Sequence, residues 1–162
     1  MKEHFATASE RETVELARSF AGTLRRGDVV ALSGELGTGK TRFVKGVCEA
    51  FQTRHQVTSP SFIILNRYEG IDEHGAEILI YHLDLYRVRS REEIYDIGYE
   101  EFFYGQGICL VEWPELLGDL LPPRRYEVRL SYGEGPDQRE LEILLVSGEA
   151  VSSEPRGRPV QQ

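Results

Sequence analysis

Hydrophobic positions along the chain switch repeatedly between helical and strand spacing, and each switch marks an element. Leu16, Ala17, Phe20, Ala21 and Leu24 recur at helical intervals behind Ser9-Glu10-Arg11-Glu12, a capping box, so an amphipathic helix is predicted that ends before Gly27. Residues 29–32 form an unbroken apolar run of strand type, and Phe43, Val44, Val47, Cys48 and Phe51 then return to the helical period. Residues 63–68 and 76–83 are strand-like on either side of the polar, turn-rich residues 69–75, which predicts an antiparallel hairpin. A second capping box, Ser90-Arg91-Glu92-Glu93, leads into Ile94 and Ile97; beyond Gly98 come Tyr99, Phe102, Phe103 and Tyr104, giving two short helices. Residues 107–111 are wholly apolar, the pattern of a strand buried on both faces. Pro114 suits the first turn of a helix carrying Leu116, Leu117, Leu120 and Leu121, which Pro122-Pro123 stops. Residues 126–132 and 140–146 flank Gly133-Glu134-Gly135-Pro136 as a terminal hairpin.

The stretch that breaks both periods is Gly34-Glu35-Leu36-Gly37-Thr38-Gly39-Lys40-Thr41, between the strand at 29–32 and the helix that follows. It has the form G-x-x-x-x-G-K-T, the phosphate-binding loop. Average residue frequencies produce that pattern in a random chain of this length in roughly 1% of cases, before strand and helix context are required. Glycines let successive backbone N–H groups converge on one anion, Lys40 supplies a mobile positive charge for β- and γ-phosphates, and the Thr41 hydroxyl can ligate Mg²⁺. The helix opening behind the loop turns its positive dipole end toward the phosphate. ATP and Mg²⁺ are therefore the expected ligands. With this centre, the elements predict an α/β fold: a single P-loop NTPase-like domain over residues 1–147, with a mixed central sheet, helices on both faces and antiparallel hairpins. Residues 148–162 have little to bury and are expected to form a disordered tail.

Such a site needs carboxylates, and two close apolar strands. Asp84 ends the run Ile78-Leu79-Ile80-Tyr81-His82-Leu83, and Glu112 ends the strand at 107–111. A Glu directly after a buried strand is costly unless a metal or a phosphate-bound water offsets it, so both are candidates for cation or water binding. His82 shares the parity of Asp84 and hence its face; it reads as a structural histidine rather than a catalytic one. Val57-Thr58-Ser59-Pro60-Ser61-Phe62 is compatible with a strand entry or with a loop that senses a γ-phosphate, and position favours the entry. Trp113 fits a core or a contact surface equally, and the residues just ahead of the first helix are candidates for contact with a base.

Charge narrows the partners. Across 162 residues there are 27 acidic and 19 basic side chains, a formal net charge of -8, which argues against strong independent binding to a nucleic acid. Cys48 and Cys109 lie far apart in apolar runs, without metal-ligand spacing, and read as reduced core thiols. The first ten residues lack the apolar core of a signal peptide and no run approaches membrane-spanning length, so a cytoplasmic location without membrane contact is expected.

Taken together, G-E-L-G-T-G-K-T, V-T-S-P-S-F with N-R-Y, H-L-D-L-Y-R and L-V-E-W-P, in this order, resemble the bacterial TsaE family, formerly YjeE, over roughly residues 10 to 132. The resemblance implies a P-loop ATPase required for threonylcarbamoyl modification of adenosine 37 in tRNAs that read ANN codons. It implies partners as well: TsaB and TsaD homologues, with TsaD performing the transfer, tRNA reached only through that complex, and ATP hydrolysis permitting repeated turnover. Residue by residue it makes Gly34 to Thr41 the ATP loop, Thr41 and Glu112 the Mg²⁺ ligands, Asp84 an acidic residue of the active site and Ser59 to Phe62 a switch-like loop. Ser61 stands where the family usually has Thr and keeps the hydroxyl. With Lys40 on the phosphates, either Asp84 or Glu112 positions the attacking water.

Two other classes share the loop. A small-molecule kinase would need an acceptor pocket and an arginine-rich lid; Arg87, Arg89 and Arg91 cluster, yet the segment after Glu112 supplies no comparable lid. The other is a nucleotide-dependent scaffold that does not hydrolyse ATP usefully.

Overall fold

The computed structural model describes residues 2–54, 56–58 and 64–148. Its centre is a seven-stranded mixed sheet in the order β1-β7-β6-β2-β5-β4-β3. The strands are β1 (Lys2–Thr7), β2 (Val29–Ser33), β3 (Leu65–Ile71), β4 (Glu77–Asp84), β5 (Ile108–Glu112), β6 (Arg124–Tyr132) and β7 (Arg139–Ser147). β2 lies parallel to both β5 and β6, and β4 parallel to β5. The two expected hairpins, β3–β4 and β6–β7, extend this parallel centre as antiparallel pairs. Because β2, β4 and β5 run the same way, their carboxyl ends, Ser33, Asp84 and Glu112, meet at one edge, where open α/β sheets take ligands.

Helices cover both faces. On one, α1 (Glu10–Ala21) and α2 (Lys40–Ala50) bury Ala17, Phe20, Phe43, Val44 and Val47 against Val30, Leu32, Leu110, Val128 and Leu130. On the other, α3 (Arg91–Asp96) and α4 (Tyr99–Phe103) contribute Ile94, Phe102 and Phe103 to a cluster with Val29, Tyr81, Leu83 and Val111. Strand parity explains the division: Val30 and Leu32 point one way, Val29 the other. All five residues of β5 are buried, as expected for a strand covered on both sides. Ser9 caps α1 by accepting from Glu12 N at 3.2 Å, while the Glu12 carboxylate reaches Ala8 N at 2.6 Å.

Three readings need amendment. β1 carries no apolar alternation, and only Thr7 is buried in it, so its sequence predicts no strand; its backbone pairs with β7 from Lys2↔Leu144 to Thr7↔Arg139. An edge strand with one polar, open face leaves little hydrophobic signature. The helix expected over residues 114–121 is instead two 3₁₀ turns, Pro114–Leu116 and Gly118–Leu120. Gly118, at φ +49, lies outside the right-handed helical region and breaks the run, although Leu117 is still buried. The first helix stops at Ala21 rather than running to Leu24. Ser59, Pro60, Ser61 and Phe62, with the switch-like loop assigned to them, lie outside the described residues, as does the expected tail except for Gly148, whose amide donates to Pro123 O at 3.0 Å.

Candidate nucleotide site

The loop leaves β2 at Ser33 and turns into α2 at Lys40. Gly34 has φ +145, and a Cβ there would stand 2.3 Å from Leu130 O, so only glycine passes this close to β6. Gly39, at φ +105, forms the N-cap of α2 and brings no side-chain cap. No acidic residue occupies the first turn of α2. The opening amides of this helix are thus neither capped by a side chain nor neutralised by a carboxylate, the arrangement that receives an anion. Thr38 closes the loop by donating Oγ1 to Glu35 O at 2.8 Å. The terminal hairpin braces it from outside: Tyr132 OH donates to Leu36 O and Arg139 Nη2 to Gly37 O at 3.4 Å.

Lys40 folds back under the loop. Its Nζ donates to Gly34 O at 2.6 Å and Glu35 O at 2.8 Å and lies 4.0 Å from the centroid of the Trp113 ring. Burial holds its pKa below the ordinary lysine value, and Glu112, Glu115 and Asp84 act in the opposite direction. A buried ammonium facing carboxylates, carbonyls and a π-face is a cation prepared for further negative charge. Trp113 reaches that position because its backbone is left-handed, φ 58 and ψ 59, at the exit from β5; its amide donates to Leu32 O at 3.2 Å.

Opposite the loop stands Glu112, 3% exposed. Thr41 Oγ1 donates to its carboxylate, 3.0 Å from Oε1 and 3.2 Å from Oε2, and His82 Nε2 lies 2.5 Å from Oε2. Asp84 is Glu112's register partner on β4, and its Oδ1 accepts from Tyr86 N at 3.0 Å. The donor set is hard oxygen: a hydroxyl whose proton points at Glu112 keeps its lone pairs for a cation, and two carboxylates sit at neighbouring strand ends. Among the described residues no group of three His, Cys, Asp or Glu side chains converges on one point. That is compatible with Mg²⁺, which is commonly held by one or two carboxylates together with substrate phosphates and water, and the residues present fit it.

A family model described as threonylcarbamoyl adenosine biosynthesis protein TsaE matches residues 7–141. The chain belongs to the TsaE family. The tRNA threonylcarbamoyladenosine biosynthesis protein TsaE of Bacillus subtilis is 38% identical over 141 residues, covering 86% of this chain and 84% of that one. Its namesake in Rickettsia conorii is 41% identical over 123 residues, with 75% and 67% covered. The crystal structure of Bacillus subtilis YdiB superposes with a TM-score of 0.71 at 33% identity, covering 91% of this chain and 87% of that one. A family named for threonylcarbamoyl adenosine biosynthesis is thus joined to the mixed α/β sheet described above.

Within this TsaE-family chain, the fold gathers Lys40, Thr41, Asp84 and Glu112 at one edge, although they come from α2, β4 and β5. Two neighbours of these side chains were not placed by the sequence. Trp113 left no signal, since its place over Lys40 depends on a left-handed backbone. His82 left one, the shared parity with Asp84, but parity does not reveal which neighbour on the next strand the ring will meet.

Proposed function

We propose that this chain is the ATP-hydrolysing member of the machinery that makes threonylcarbamoyladenosine in tRNA, acting in the cytoplasm on a complex of TsaD and TsaB homologues. The observation that carries the reading is the Thr41–Glu112 contact at 3.0 Å, which joins the start of the phosphate-binding helix to the end of a buried strand. In P-loop NTPases the loop Ser/Thr and a strand-end carboxylate play these two parts.

The chain's own residues divide the work. The amides from Gly34 to Thr41 hold the phosphates, and Lys40 exchanges its carbonyl contacts for phosphate oxygens. Thr41 and Glu112 would hold Mg²⁺, which when bound draws negative charge off the β- and γ-phosphate oxygens. Asp84, two residues beyond His82 and level with Glu112, positions the attacking water and accepts its proton. With a net charge of -8, the protein reaches tRNA through its partners rather than by its own contacts. Nucleotide-dependent binding requires that the partners distinguish the ATP and ADP states.

Reconstituted tRNA modification tests this directly, with the TsaB and TsaD homologues present and this chain added or withheld. Repeated turnover should require the chain together with hydrolysable ATP, and affinity for the complex should differ between a nonhydrolysable ATP analogue and ADP. Equal affinities, with ATP turnover indifferent to the partners, would refute the proposal; ATP consumed only with a small-molecule acceptor would make the protein a kinase.

A further inference from the structure

His82 is fully buried on β4, level with Leu110 of β5 and two positions short of the Asp84–Glu112 pair. Residues of one parity share a face, so His82 and Asp84 lie on one side of β4 as Leu110 and Glu112 do on β5. The imidazole leans diagonally across the strand pair and brings Nε2 to 2.5 Å from Glu112 Oε2. Its other nitrogen, Nδ1, is buried and has no hydrogen-bond partner among the described residues. Tyr68 lies alongside, ring centroids 6.3 Å apart and planes 30° from parallel.

A histidine serving only to fill a core would be expected to satisfy both nitrogens, because an unpaired buried polar atom costs stability. Here, among the described residues, the only hydrogen bond of the ring goes to one carboxylate. An ionised carboxylate can only accept, so the proton in the contact belongs to Nε2. Glu112 is then held from two sides by donors on different elements, Thr41 of α2 and His82 of β4. With one donor the carboxylate could rotate about it; with two, its plane is set.

We propose that His82 is a positioning residue for the phosphate site: its Nε2–H donates to Glu112 Oε2 and so holds the carboxylate in the orientation that serves the cation beside the nucleotide. This rests on the assignment of Glu112 as a cation ligand. Histidine here acts on a ligand and not on the metal, the outer-shell arrangement whose loss typically costs about 10–100-fold in metal affinity.

Four variants, one of them a double substitution, and one spectrum test it. His82→Leu fills the space without a donor, and His82→Gln retains an amide donor of similar reach. Affinity for a nonhydrolysable ATP analogue is measured with and without Mg²⁺. His82→Leu should weaken the Mg²⁺-dependent part of the affinity by about tenfold or more and leave Mg²⁺-free affinity within about twofold, with His82→Gln restoring most of the loss. Combined with Glu112→Gln, the leucine substitution should add nothing further. A purely structural histidine would lower both affinities together or neither, and would not be rescued by Gln. If Glu112→Gln leaves the Mg²⁺ dependence intact, the assignment of Glu112 fails; if Glu112→Gln abolishes it and His82→Leu does not change it, this inference alone fails. Independently of how the variants fold, ¹⁵N spectra of the wild-type imidazole should show a protonated Nε2 and an unprotonated Nδ1; the opposite tautomer would overturn the proposal.

Discussion

Replacing Glu112 with glutamine separates the charge of this side chain from its shape. The carboxylate is 3% exposed and engages Thr41 Oγ1 and His82 Nε2. An amide can preserve both contacts: its oxygen accepts from His82, and the Thr41 hydroxyl turns to accept from its NH₂. Hydrogen bonds to a charged group contribute about 1.5–3 kcal/mol and neutral ones about 0.5–1.5, so the two contacts together lose about 2–3 kcal/mol. Relief from burying a charge works against that loss, and the net change in stability should stay within about 2 kcal/mol. The effect on the nucleotide is expected to be larger and to have opposite signs in two conditions. Without Mg²⁺, removing a negative charge from beside the phosphates should leave ATP binding unchanged or tighter. With Mg²⁺, loss of an anionic ligand should cost no less than the roughly 10–100-fold typical of an outer-shell partner, about 1.4–2.8 kcal/mol. Calorimetric titration of ATP with and without Mg²⁺, beside a Mg²⁺ titration of turnover, reads both signs. A parallel weakening in the two conditions, or an unchanged Mg²⁺ requirement, would show Glu112 to be a structural carboxylate and transfer the ligand role to Asp84.

Asp84→Asn keeps an oxygen for Tyr86 N and removes the base; turnover should fall about 100-fold or more while affinity for the ATP analogue changes little, and a turnover within threefold of wild type contradicts its assigned part. Gly46→Ala places a Cβ 2.3 Å from Val14 O and 2.6 Å from Ala17 Cβ where α2 crosses α1. Backbone cannot rotate away, so overpacking should cost about 1–3 kcal/mol, seen as a lower Tm, and an unchanged Tm would show that the helices separate freely. Burial pushes the Cys48 thiol up to about 12 from its ordinary 9.0, and raises Cys109 for the same reason. Unfolded thiols lose protons above pH 9 while the folded ones keep them, so stability should fall as pH rises from 9 toward 12, by about 1.4 kcal/mol per pH unit for each thiol. Urea midpoints that stay flat between pH 8.5 and 10.5 would contradict this, as would rapid alkylation of the folded protein at neutral pH.

The turn from β2 into α2 over Gly34 to Thr41 was legible without coordinates because its pattern is local: glycines, lysine and threonine at fixed spacing between an apolar strand and a helix mark a candidate phosphate loop. The apolar runs that become β2 and β5 and the stripes of α1 and α2 were equally plain, since burial imposes period on sequence. Strand ends were legible too, which brought Asp84 and Glu112 forward as candidates. Edge strand β1 was not, because backbone pairing with β7 organises it and its side chains bury almost nothing. Nor were the 3₁₀ turns after Pro114, where leucines at helical spacing met a Gly118 whose φ no periodicity announces. The contacts that make the site specific belong wholly to tertiary structure. Thr41 and Glu112 are 71 positions apart and His82 and Glu112 are 30 apart, so only the parallel register of β4, β5 and β2 could decide that Thr41 and His82 meet at the one Glu112 carboxylate.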